Sequence, residues 1–319
     1  MHATPQRLQP PARESLSLLH PPPPSSTLES PMLNFLRLLR LAFWRAFEHD
    51  AFATAKASAY SAILTFFPLL LVVGSVLATS RKTEVYLREI SYAVGRIVPA
   101  GSATALAYLK GANRPVGLLI TASLLTLWTA SGVIISWMEG FRHAYDLPKT
   151  WGLFKERMIA FSLVILAGIP LTFSTVLVAF GTRIEARILF HTDHEIGFYV
   201  LLLWAAIRWV IATLTSIAVI ALIYHNAVPR TQPWHSVLPG ATLATALWFI
   251  STLGFGWYLQ HYADYSVIYG SLGVGIALLV WMYMISLVVL IGAEFNAMLF
   301  PRSLFSRVME LPEPSEVGN

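Results

Sequence analysis

The chain has 319 residues, of which 56% are hydrophobic and 12% charged, with a formal net charge of +5 and no cysteine. A soluble domain carries about 25% charged residues, so half that share, with a mean hydropathy of +0.62, excludes an ordinary globular core. The missing cysteine excludes disulfide frameworks, thiolate metal sites and cysteine nucleophiles. The positive balance is best explained by loops facing anionic lipid, not by nucleic acid, which is not an expected partner.

Residues 1–31 hold eight of the nineteen prolines, including Pro21 to Pro24 in a row. Such a stretch has few backbone donors and little to bury, and it predicts a disordered tail of polyproline character. Residues 32–47 read MLNFLRLLRLAFWRAF. At 100° per residue, Asn34, Arg37, Arg40, Arg45 and Glu48 share one arc while Leu, Phe and Trp fill the rest. This pattern predicts an amphipathic helix, lying on the membrane interface or packed on the protein's own bundle.

Six charge-poor runs follow, near 57–79, 117–138, 159–180, 199–223, 236–259 and 271–299. Each supplies the roughly 20 apolar residues that a helix needs to cross the hydrocarbon core. Stretches 57–80, 115–138, 158–182, 236–263 and 265–293 contain no Asp, Glu, Lys or Arg, and Arg208 is the exception in the fourth run. Pro68 and Pro170 fall inside spans one and three and predict kinks. Between spans one and two, apolar and charged residues over 81–98 segregate to opposite faces, and 102–112 forms a second short segment, so this outer loop is predicted to be helical. The chain is thus read as an all-α integral membrane protein. It has six transmembrane helices in one domain over 32–300, an N-terminal amphipathic helix, a helical outer loop and a tail over 301–319. Lys and Arg number twelve on the side of the termini against eight on the other, which places both termini in the cytoplasm. No internal repeat between the two halves is visible, so an inverted-repeat transporter is not indicated.

Three segments carry a resemblance: AKASAYSAILTFFPLLL (55–71), LWTASGVIISWMEGF (127–141) and YSVIYGSLGVGIALLVWMYMISLVVLIGAEFNAML (265–299). Over about 35–300 the chain resembles the YihY family of bacterial inner-membrane proteins, which includes virulence factor BrkB and members once labelled ribonuclease BN. Its most specific parts are YGSLG (269–273), the aromatic pair Trp281 and Tyr283, and GAEFN (292–296). Glu139 and Gly140 depart from the Asn-containing stretch expected in span two. The resemblance implies six spans, an inner-membrane location and a role in envelope integrity or lipid handling, with membrane lipids and other envelope proteins as partners.

Ionisable groups inside a membrane are functional suspects because each costs about 2.5–3.5 kcal/mol on insertion scales. Arg208 is the sharpest, three residues from the centre of the fourth run. It reads as an inward guanidinium holding an anionic group such as a lipid phosphate, or as an arginine that snorkels outward. Glu294 lies in span six, Lys56 opens span one and Glu139 closes span two; a Lys56–Glu294 pair would tie span one to span six. Tyr283 shares the face of Glu294, whereas Asn296 must address a different neighbour. Gly270, Gly273, Gly275 and Gly292 are read as close-packing positions. Pro239 and Gly240 shape the entry to span five. His191, Asp193, His194 and Glu195 make a weak metal pattern, and neither a metal nor another cofactor is implied. No P-loop, HExxH, GxSxG or dinucleotide fingerprint is present, and no catalytic residue is indicated. The sequence therefore points to transport, or assistance to transport, of an anionic lipid or other envelope component. A non-transporting envelope scaffold is the alternative, and a membrane-associated ribonuclease the third reading.

Overall fold

The computed structural model describes residues 31–78, 116–189, 194–229, 233–261 and 271–300. The predicted disordered tail (residues 1–30 of it), the helical outer loop, Gly270, His191 and Asp193 of the weak metal pattern, and the C-terminal tail lie outside these residues. Among the described residues there are seven helices and no strand: α1 (Pro31–Glu48), α2 (Ala51–Ala78), α3 (Val116–Ala144), α4 (Leu153–Leu189), α5 (His194–Asn226), α6 (Trp234–His261) and α7 (Ser271–Leu299). The chain divides into two units, Met1–Leu38 and Leu39–Asn319. The first contains the opening turns of α1; the second contains the rest of α1 and all the long helices.

The six long helices supply the apolar spans Ala51–Val73, Leu119–Ala144, Leu153–Val178, Leu202–Asn226, Trp234–His261 and Gly273–Leu299. The first starts six residues before the predicted 57–79, so Lys56 lies in the second turn of α2 and does not open the span. Both α2 and α4 run through their prolines, Pro68 and Pro170. Consecutive spans pack as antiparallel neighbours, and α7 returns to pack on α2 and α3 as well as α6. Lipid tails are as apolar as leucine, so small side chains and polar contacts must hold such helices together. Accordingly α2 turns Ala55, Ser58 and Ala59 inward, and Ser58 Oγ meets Ser286 Oγ of α7 at 2.9 Å.

The helix ends near α1 are sharply defined. Asp50 and Asp146 adopt left-handed backbone, with φ of 54° and 50°, a conformation that Asp tolerates better than most side chains. After α3 the Leu147 N–H bonds the Arg142 carbonyl and the Asp146 N–H bonds the His143 carbonyl. This double closure satisfies carbonyls that a helix end otherwise leaves open.

Candidate functional site

The densest polar chemistry lies at the end of the bundle that carries α1. Within the second unit, α1 packs through Ala42 and Ala46, both fully buried, and the same face presents Arg45 and His49 at helical spacing. These two reach Glu294 of α7, which is 1% exposed. His49 Nδ1 lies 2.7 Å from Glu294 Oε1, and Arg45 Nε lies 3.5 Å from Oε2. The expected Lys56–Glu294 pair is therefore not formed. Lys56 is exposed on α2, because a start at Ala51 turns that position outward, and α1 folds back to supply the cations. The polar arc read along α1 divides as well: Arg45 turns inward, while Glu48 accepts from Trp44 Nε1 at 2.7 Å on the outer side, where Phe43, Trp44 and Phe47 are exposed.

Two residues on, Asn296 serves a different helix. Its amide oxygen accepts from the Gly240 N–H at 2.6 Å and its amide nitrogen donates to the Val237 carbonyl at 3.0 Å. Both partners flank Pro239, whose ring disturbs the ordinary backbone ladder of α6. Gly292 and Gly240 let α6 and α7 touch. A Cβ on Gly292 would strike the Tyr224 hydroxyl and the Gly240 carbonyl, and one on Gly240 would strike the Gly292 carbonyl and Asn296. The Tyr224 hydroxyl donates to the Val289 carbonyl at 2.5 Å. The segment Gly292–Ala293–Glu294–Phe295–Asn296 thus has every side chain buried, with its two polar members aimed at different helices.

The other predicted positions are more scattered. Glu139 is exposed on α3, Tyr283 is half-buried on α7, and Gly273 is buried. Gly275 does not provide close packing: an added Cβ would meet nothing within 4 Å. A buried ion pair joins the end of α3 to the start of α4, with Arg142 Nη1 2.5 Å from Glu156 Oε1, and Lys149 Nζ of the loop between them lies 3.5 Å from Oε2.

Arg208 is buried, at 8% exposure. It stands six residues from the centre of the span Leu202–Asn226, toward the far end of the bundle, and is less central than the predicted boundaries made it. It precedes Trp209 and is one turn from Ala212. Both of these line a groove of about 290 Å³ between α4, α5 and α6, together with Ser174, Thr175, Ser216 and Trp248. The hydroxyls of Thr175 and Ser216 back-bond to their own helices, and the Trp248 Nε1 is buried with no hydrogen-bond partner.

A family model described as Virulence factor BrkB matches residues 42–311. The chain belongs to that family. This bears out the resemblance carried by YGSLG and GAEFN, and it takes in the part of α1 that meets Glu294. Among the BrkB family's relatives of this chain, a UPF0761 membrane protein of Tolumonas auensis is 30% identical over 85% of this chain and 89% of its own length. The ribonuclease-like protein YfkH of Bacillus subtilis is 27% identical over 84% of this chain and 96% of its own length. UPF0761 membrane protein Smlt0865 of Stenotrophomonas maltophilia is 26% identical over 80% of this chain, and the match spans 59% of that longer relative. No solved structure matches the chain. Sequence reasoning missed His49, Arg45 as a partner of Glu294, and Tyr224. The signal that could have found the first two is the run Ala42, Arg45, Ala46, His49, which places two small residues and two cations on one helical face.

Proposed function

We propose that the chain moves an anionic lipid, or helps to move one, across a bacterial inner membrane, with both termini in the cytoplasm. The observation that carries this reading is a buried arginine in the far half of span four, whose helix neighbours Trp209 and Ala212 line a groove of aromatic rings and hydroxyls. A planar guanidinium holds a phosphate by paired, charge-assisted hydrogen bonds, and an apolar groove beside it suits an acyl chain. The ribonuclease-like name is printed for the relative YfkH; the reading proposed for this chain is non-enzymatic.

The test is flux of headgroup-labelled phosphatidylglycerol in vesicles containing the full chain. Arg208→Lys keeps the charge and loses the fork, so it lowers flux in part, and Arg208→Gln lowers it further, by about tenfold if one charge-assisted bond pair is lost. Helix content should stay at the wild-type level in both. An Arg208→Leu protein that folds normally and moves lipid at the wild-type rate would overturn the reading.

A further inference from the structure

Arg157 lies in the second turn of α4, four residues from its start, where a long cation ordinarily reaches back to the nearby headgroups. The Cα–Cβ bond of a helical residue also tilts toward the helix N-terminus, which favours that direction. Its guanidinium instead reaches across to α3. Nη1 donates to Ser131 Oγ at 2.8 Å, and Cζ sits 4.6 Å from the centre of the Trp128 ring. Ser131 is fully buried and falls at the centre of the span Leu119–Ala144. Along α3 it stands thirteen residues before the end of the helix at Ala144, a rise of about 20 Å. Arg157 is therefore held by a serine at the middle of the apolar span of α3.

The surroundings fix this orientation. Ser131 Oγ donates to the Trp128 carbonyl at 2.6 Å, so its remaining capacity is to accept, and it accepts from Arg157. Trp128 also leans on Phe161, with ring centres 6.1 Å apart, one turn along α4 from Arg157. A guanidinium has five N–H donors, and the bond to Ser131 uses one. Arg157 itself is half-buried, and Trp128 is 56% exposed on the outer face of α3. Four donors are left for a ligand on the face between spans two and three, where Trp128 is exposed. No acid among the described residues pairs with Arg157: Glu156, its neighbour, is held by Arg142 and Lys149.

We infer that Arg157, Trp128 and Ser131 form a second anion site, which takes a phosphate oxyanion at mid-depth on the outer face of spans two and three. The inference rests on the reading of the chain as one that handles anionic lipid. It deepens that reading by supplying a station between the α1 end and Arg208, which lies nearer the far end. Trp128 serves as the platform, Ser131 sets the pose, and the free fork of Arg157 meets the oxyanion in place of water.

The experiment uses the full chain in nanodiscs of phosphatidylcholine and phosphatidylglycerol, the latter carrying a photoreactive group in its headgroup, with adducts mapped by peptide mass spectrometry. Adducts are expected on the segments containing Trp128 and Phe161. They should fall about tenfold in Arg157→Met, as one charge-assisted contact is lost, and about threefold in Arg157→Lys, which keeps the charge. Arg208→Gln should leave them at the wild-type level. Wild-type adduct yield in a folded Arg157→Met protein, or absence of adducts on these segments in the wild type, overturns the site. If Arg157→Met does not fold, an unchanged yield in Arg157→Lys does so. Competition by inorganic phosphate would assign the site to free phosphate, and insensitivity would assign it to the lipid headgroup; either supports an oxyanion site. Loss of adducts in Arg157→Met without any wild-type lipid flux would keep the site and sink the transport reading. Flux that depends on Arg208, with adducts indifferent to Arg157, would do the reverse.

Discussion

The two ends of the bundle are built to different specifications. At the α1 end, Glu294, Asn296, Tyr224 and Ser58 are buried and each has a named partner on another element. Gly140, Gly240 and Gly292 there leave no room for a Cβ. Toward the far end, Gly254, Gly256 and Gly275 meet nothing within 4 Å. A groove lined by Trp209, Ala212 and Trp248 opens there between α4, α5 and α6. In hydrocarbon an unpaired polar group is costly, so a helix bundle that keeps polar side chains must either join them or give them something to bind. The α1 end does the first.

The contrast is easiest to break at its strongest point. Glu294→Ala removes the acceptor shared by His49 and Arg45, and the loss of a buried partner of this kind costs about 3 kcal/mol. Unfolding in detergent should show that loss, and a double-mutant cycle with His49→Ala should show coupling of at least about 1 kcal/mol. Additive losses would mean that α1 is not fastened at this point.

A smaller effect is expected from matched glycines. Gly292→Ala forces a Cβ against the Tyr224 hydroxyl and the Gly240 carbonyl and should cost about 2 kcal/mol through overpacking. Gly275→Ala enters open space and should stabilise α7 by about 0.5 kcal/mol, because alanine is the better helix former. Equal responses at the two glycines would erase the distinction between the ends.

The smallest effect belongs to Lys56. It is exposed and takes part in no ion pair among the described residues, so Lys56→Met should change stability by less than about 0.5 kcal/mol. It should also show no coupling to Glu294 in a cycle. A loss comparable to that of Glu294→Ala would revive the pair that the sequence suggested.

The six spans were legible because bilayer thickness acts directly on sequence: a run without Asp, Glu, Lys or Arg has few other uses. What the sequence could not carry was side-chain direction. Glu294 stood out as a buried acid, but depth alone named Lys56 as its nearest cation. The true partners come from a helix that doubles back through the left-handed corner at Asp50. Arg157 is a second case: it stands near the start of α4, and nothing in the sequence shows that its guanidinium meets Ser131 and Trp128 of α3. Asn296 was separable from Glu294 by helical angle, yet its hydrogen bonds to the backbone around Pro239 depend on α6 and α7 approaching through two glycines far apart in sequence. Arg208 was visible as a charge in a span, but its groove is made by three helices and leaves no trace in any one of them.

The contact between His49 and Glu294 joins residues 245 apart, and it has a consequence for how the protein is made. A ribosome delivers α1 first and α7 last. Until the sixth span has entered the bilayer, the inward face of α1 has no acid to meet, and the Ser58 hydroxyl of the first span has no Ser286 to bond. When α7 arrives, its carboxylate must enter a region already closed on other sides by α2, α3 and α6. The last of the described helices to be made is thus fastened to the first. A chain cut short before Glu294 would leave Arg45 and His49 without their acid partner in the membrane, and a quality-control protease that reads unpaired polar groups would find it there.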